Sequence, residues 1–214
     1  MNPQNMPRTI EIPNGQKVTA TFSKQELSNR LAKLRAHMAD ANVDAVVLTS
    51  YHNINYFSDF VYCRFGRDYG LVVTQDNYTT VTANIDGGQP FRRNQLGDNV
   101  VYTDWQKGNF FVALQNLIKP GSRIGVEYDH MPLATMDIVK SSFPSSEFAD
   151  IGVPTMHMRM IKSAEEIAVI KHGSRIGDIG GAAIRDAIAV GVPEYEVAMA
   201  GTQAMIREIA KTFP

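Results

Sequence analysis

Up to about residue 151 the sequence alternates short β-branched runs with stretches of helical period, and this alternation narrows the possible folds more than any other feature. An amphipathic helix and a buried strand each need a partner layer, so their alternation predicts an α/β fold with helices on the faces of a sheet. "FSKQELSNRLAKLRAHMADANVD" opens the pattern. Ser23 and Glu26 have the S-x-x-E spacing of a capping box, and Leu27, Leu31, Leu34 and Met38 then form one apolar stripe. "DAVVLTS" follows as a buried strand. "YGLVVT" and "YTTVTANI" are strands joined by a tight turn at Gln75, Asp76 and Asn77, which makes the sheet mixed. "DGGQPFRRNQLG" is a turn into a short helix, with no glycine motif or lysine to make it a phosphate loop. Strands at "NVVYTD", "RIGVEYD" and "SEFADI" then enclose helices at "NFFVALQNLIKPGSR" and "MPLATMDIVKSSF".

The character changes near Val153, after which strand signals almost vanish. Ser163 and Glu166 form a second capping box, and Ile176, Ile179, Ala183 and Ala187 continue one helical stripe. Gly191 ends that helix, and Val192-Pro193-Glu194 begins another with Val197, Gly201, Met205 and Ile209 on one face. The expected division is therefore 1–155 as an α/β domain and 156–214 as a linker with the first helices of a second domain. Two helices lacking a partner layer lead to the expectation that the chain is the front of a longer protein.

Composition excludes several functions. Charged residues make up 20% of the chain and the net charge is −1, so no basic excess favours nucleic acid or an anionic membrane. The opening "MNPQNMPRTIEIPNG" has no signal-peptide core, and no apolar run approaches a membrane span, so a cytoplasmic location is expected. Cys63 is the single cysteine, which rules out an internal disulfide. Neither a lowered pKa nor a base is evident for it, and a packed thiol is the expectation.

The residues with chemical potential concentrate in "SYHNINYFSDFVYCRFGRDYG", Ser50 to Gly70, read as an aromatic loop. Arg67 lies two residues after Phe65. A guanidinium fork matches a carboxylate, and an aromatic face beside it holds a flat or cationic group, so the pair fits a pocket for a small zwitterion. A buried aromatic corner with a surface arginine fits the same residues. Of the five histidines, His52 at the mouth of this loop is the best candidate, with a structural hydrogen bond as the alternative. His37 suits a helix C-terminus, and His157 among Met156, Met158 and Met160 reads as irregular packing rather than a soft metal site. Glu165 and Glu166 suit a helix start. No complete active site is present.

The segments "TSYHNINYFSDFVYCRFGR", "ANIDGGQPFRR", "VYTDWQKGNFF", "MRMIKSAEEIAVIKHG", "IGDIGGAA" and "VPEYEVA…TQAM" resemble the creatinases, the creatine amidinohydrolases, from about Thr21 to Phe213. "RMIKSAEEIAVIKHG" also resembles the wider family of prolidases and aminopeptidases P, in which a small α/β domain precedes a "pita-bread" catalytic domain. The resemblance implies a homodimeric hydrolase that converts creatine to sarcosine and urea without a metal or other cofactor. It further implies that this loop reaches into the partner's active site, with Phe65 packing on the substrate and Arg67 pairing with its carboxylate. The proton-moving histidine and the acids that hold the guanidinium group belong to the larger domain. No catalytic residue is therefore assigned within this chain, which alone is expected to be inactive. Arg64 and Asp68 add charge beside the pair where creatinases carry less, leaving a related guanidino acid open as substrate. A metal-dependent Xaa-Pro peptidase of the same architecture, and a non-catalytic dimerisation or binding module, are the alternatives.

Overall fold

The computed structural model describes residues 2–61 and 66–212. They form two units, Met1–Ile161 and Lys162–Pro214. The first is an α/β layer around a seven-stranded mixed sheet. Its strands are β1 (Thr9–Ile10), β2 (Ala45–Leu48), β3 (Gly70–Thr74), β4 (Tyr78–Ala83), β5 (Asp98–Tyr102), β6 (Ile124–Val126) and β7 (Phe148–Asp150), in the spatial order β1-β5-β4-β3-β2-β6-β7. The tight turn after Thr74 makes β3 and β4 antiparallel, as the sequence predicts, while β4–β5, β2–β6 and β6–β7 are parallel. Strands β2, β4, β5, β6 and β7 thus point one way, with β1 and β3 against them.

The helices of this unit are α1 (Lys24–Asp40), α2 (Tyr51–Ser58), α3 (Gln89–Arg93), α4 (Asn109–Leu117), α5 (Leu133–Ser142) and α6 (Gly152–Met160). Ser23 caps α1 by accepting from the Glu26 amide at 3.1 Å, and the predicted stripe of Leu27, Leu31, Leu34 and Met38 is buried. Successive residues of β2 point to opposite faces. Val46 and Leu48 pack with Leu31, Leu34 and Met38 of α1 and Ile54 and Phe57 of α2. Ala45 and Val47 pack with Phe110 and Leu114 of α4 and Val139 of α5. A fully buried leucine contributes about 1.5–3 kcal/mol, so these two cores account for most of the cohesion.

Two elements differ from the sequence reading. Ser50–Ser58 is not loop: Ser50 accepts from the Asn53 amide at 3.3 Å, and α2 runs until Asp59 ends it in the left-handed region at φ 56°. Strand β1, which the sequence does not announce, pairs with the edge of β5. The first compact unit extends to Ile161 and includes α6.

The second unit holds α7 (Ala164–Ala187) and α8 (Glu194–Thr212). The Ser163–Glu166 capping box is complete in both directions. The two helices approach at glycines: a Cβ on Gly201 would lie 2.5 Å from Ile184 Cγ1 and 3.2 Å from the Gly180 carbonyl oxygen. Ile176, Gly180 and Gly201 are buried at this seam, and Arg175 pairs with Glu208 at 2.8 Å.

Candidate functional site

Because β2, β4, β5 and β6 share a direction, their carboxyl ends meet the start of β3 along one border of the sheet. This is where open α/β sheets hold ligands. The residues following those strands are Thr49 and Ser50, Asp86, Thr103 and Asp104, and Glu127. Arg67, Asp68 and Tyr69 come just before β3.

Arg67 stands in an open, charged cleft. Its Nη1 lies 2.8 Å from Asp104 Oδ1, with the two side chains 45% and 36% exposed. A pair this exposed is screened, so it orients more than it stabilises. The cleft beside it has a volume of about 420 Å³ and is lined by Arg67, Asp104, Trp105, Lys107 and Phe110 among others. A smaller hollow of about 130 Å³ on the other side brings Arg67 together with Thr49, His130 and Thr135. Arg67 therefore lines both recesses. Phe65, Cys63 and Arg64 lie outside the described residues, so the proposed Phe65–Arg67 pairing is seen on its arginine side alone.

The backbone next to Arg67 is fixed by β3 and β5. Tyr69 is buried and its phenol donates to Asp86 Oδ2. Tyr102, the last residue of β5, donates its hydroxyl to the Asp68 carbonyl at 2.9 Å. Burial, reinforced by Asp68 and Asp104, raises the Tyr102 pKa well above its ordinary value, which keeps the phenol protonated as that donor.

His52 lies in the first turn of α2, where its ring meets His130 edge-on at a centroid distance of 6.3 Å. Burial, then the positive charge of Arg159, lowers its pKa; Glu127 opposes and His130 adds to the fall. The histidine in the Arg67 hollow is His130, which sequence reasoning passed over for want of any local motif. His157 is exposed at the end of α6. Among the described residues no three histidine, cysteine, aspartate or glutamate side chains gather to hold a metal.

A charged group of this border, Glu127, is fully inaccessible. Its Oε2 accepts from the Thr49 and Ser50 amides at 2.5 and 2.9 Å. Its Oε1 accepts from the Ser50 hydroxyl and, at 2.6 Å, from Asn53 Nδ2. A carboxylate bonded to the amides just before α2 also suits that helix's positive end. Asn53 continues the network to α6 by donating to Thr155 Oγ1 at 3.0 Å. This group ties β2, β6, α2 and α6 together and has no opening toward the Arg67 cleft in its hydrogen bonds.

A model of the creatinase/prolidase N-terminal domain matches residues 30–161. The chain belongs to that family. The creatinase of Bacillus sp. (strain B-0618) is 52% identical over 215 residues, spanning 98% of this chain and 52% of the relative. The chain thus spans about half the length of that curated family member. Among solved structures, the prolidase of Pyrococcus horikoshii overlays with a TM-score of 0.68 at 22% identity, covering 84% of this chain and 48% of the other. The X-Pro aminopeptidase of Thermotoga maritima gives a TM-score of 0.70 at 20% identity, covering 83% and 49%. At such identities the family's peptidase structures establish the fold alone.

Proposed function

We propose that this chain is the N-terminal portion of a creatinase, an amidinohydrolase that converts creatine and water to sarcosine and urea. The observation that carries the reading is the 52% identity to a creatinase across 98% of the chain. The likeness to prolidases and aminopeptidases lies at 20–22% and supports a shared architecture. In this reading the part of the Ser50–Gly70 segment that carries Phe65 and Arg67 is presented to the partner subunit's active site in a cytoplasmic homodimer. Arg67 binds the substrate carboxylate there and Phe65 packs on the substrate. The described part of the segment supports this role for Arg67, which lies at the carboxyl border of the sheet between two recesses. The second unit, with α7 and α8, begins the pita-bread catalytic domain. That domain supplies the proton-transferring histidine and the acids around the guanidinium group, and no metal takes part.

Arg67 contributes binding and orientation rather than proton transfer. A charge-assisted hydrogen bond is worth about 1.5–3 kcal/mol, so losing one raises KM for creatine about 10- to 150-fold. The test is urea release from creatine by the complete subunit with excess chelator, beside Arg67→Ala. Chelator-resistant turnover that weakens by this factor in the variant is the expected result. Absence of urea, with metal-restored cleavage of an Xaa-Pro peptide, would place the protein among the peptidases and leave Arg67 a structural residue.

A further inference from the structure

We propose that Asp104 is a positioning residue for Arg67, holding the guanidinium by one nitrogen so that its remaining edge faces the substrate carboxylate. This rests on the creatinase reading and names a residue that the reading does not contain. The observation behind it is a difference in how firmly the two partners are held. The long Arg67 side chain is 45% exposed, and the ion pair it makes among the described residues is with Asp104. Asp104 sits in a turn fixed on both sides. Before it, the Thr103 amide donates to the Arg8 carbonyl at 2.9 Å, and the Thr103 hydroxyl donates to the Pro7 carbonyl at 2.6 Å. After it, buried Asn109 donates from Nδ2 to the Thr103 carbonyl and to Gln106 Oε1, each at 2.8 Å. Tyr102 clamps both strands of the arrangement, since its hydroxyl holds the Asp68 carbonyl two residues before Asp104 begins the turn.

The ion pair is made through Nη1 of Arg67, 2.8 Å from Asp104 Oδ1. A guanidinium carries five N–H donors in a planar fork, so it has donors beyond the one facing Asp104 to offer a carboxylate. Asp104 also brings a negative charge near the incoming carboxylate. In a cleft this open, that repulsion is screened, and Lys107 in the same lining offsets it. Orientation therefore outweighs repulsion, which sets the sign of the expected effect.

The experiment measures creatine kinetics on the complete subunit for wild type, Asp104→Asn, Asp104→Glu, Arg67→Ala and the Arg67→Ala/Asp104→Asn pair. Asp104→Asn is expected to raise KM about two- to fivefold with kcat held, the scale of an exposed ion pair. Asp104→Glu should restore most of that loss. In the Arg67→Ala background, Asp104→Asn should change kcat/KM no further, because its effect passes through the missing arginine. An unchanged or lowered KM in Asp104→Asn overturns the proposal, as does an equal loss with and without Arg67. If wild type releases no urea, the creatinase reading itself fails and this inference falls with it. A productive wild type with an inert Asp104→Asn refutes the inference alone.

Discussion

Removing the Glu127 carboxylate should show how much of the first unit depends on one buried anion. Glu127→Ala strips the acceptor from four close donors, the Thr49 and Ser50 amides, the Ser50 hydroxyl and the Asn53 side-chain amide, besides a longer contact from the part-buried Thr49 hydroxyl at 3.4 Å. A buried donor left without a partner costs about 1–3 kcal/mol. The space vacated by the side chain is lined with polar groups and admits water, which recovers part of each penalty, so the lower end of that range applies. Four donors at about 1 kcal/mol each give a loss of about 4 kcal/mol. For a unit the size of Met1–Ile161, each kcal/mol moves Tm by roughly 2–4 °C, so thermal unfolding followed by far-UV circular dichroism should shift down by about 8–16 °C. Glu127→Gln keeps an oxygen for the two backbone amides. Its new NH₂ meets the Ser50 hydroxyl, which rotates to accept, and its cost should be about half. The ordering matters more than the absolute values. A fall of less than about 3 °C in Glu127→Ala, or a glutamine variant worse than the alanine one, would refute the view that the hydrogen bonds to this carboxylate hold the border together.

The glycines of the second unit give opposite expectations. Gly201→Ala forces a Cβ to within 2.5 Å of Ile184 and should cost about 1–3 kcal/mol in urea unfolding of the chain, whereas Gly177→Ala meets nothing within 4 Å and should add about 0.5–1 kcal/mol; equal effects would contradict the packed seam. His52 gives a pH dependence. Burial and Arg159 lower its pKa from 6.5, so the unfolded chain takes up this proton at a higher pH than the folded one. Its contribution to stability is therefore complete above about pH 6.5 and declines as pH falls through the interval between the two values. Denaturation midpoints of His52→Gln should fall less than those of wild type between about pH 7 and pH 5, and an equal or steeper fall would argue against a partly desolvated, cation-facing ring.

The legible parts of the fold are those whose cause is local. The first helix carries its start signal in Ser23 and its buried face in Leu27, Leu31, Leu34 and Met38, and all of these lie within one window. The hairpin of β3 and β4 is written in its turn, and α7 in its capping box. The second helix was not legible. Tyr, His, Asn and Phe are indifferent helix formers, and α2 owes its stability to burial of Asn53, Ile54 and Phe57 and to an anion 74 to 78 residues away. Strand β1 has two residues and exists because β5 offers an edge. At the site, residue type alone pointed to Arg67. Its partner Asp104 lay unread in "VYTDWQKGNFF", since nothing in that segment shows which strand end it will stand beside.

That contrast has a physical basis in how the border divides its work. Glu127 and its donors are buried, interlocked and distant in sequence, so they fix α2 and α6 on the ends of β2 and β6. The anchors of Arg67 are different ones: Tyr69 to Asp86, and Tyr102 to Asp68, on β3 and β5. Arg67 stands three residues before the paired start of β3, and each residue of extended chain spans at most about 3.3–3.6 Å. Its backbone is thereby tethered near the sheet border, while its side chain is exposed and able to reach outward. Under the proposed function Arg67 serves a site completed by the partner subunit, and such a residue needs both properties: a fixed root and a free head. The root comes from strands whose pairing is unambiguous, and under the proposal the head is aimed by one screened ion pair weak enough to share its cation with a ligand.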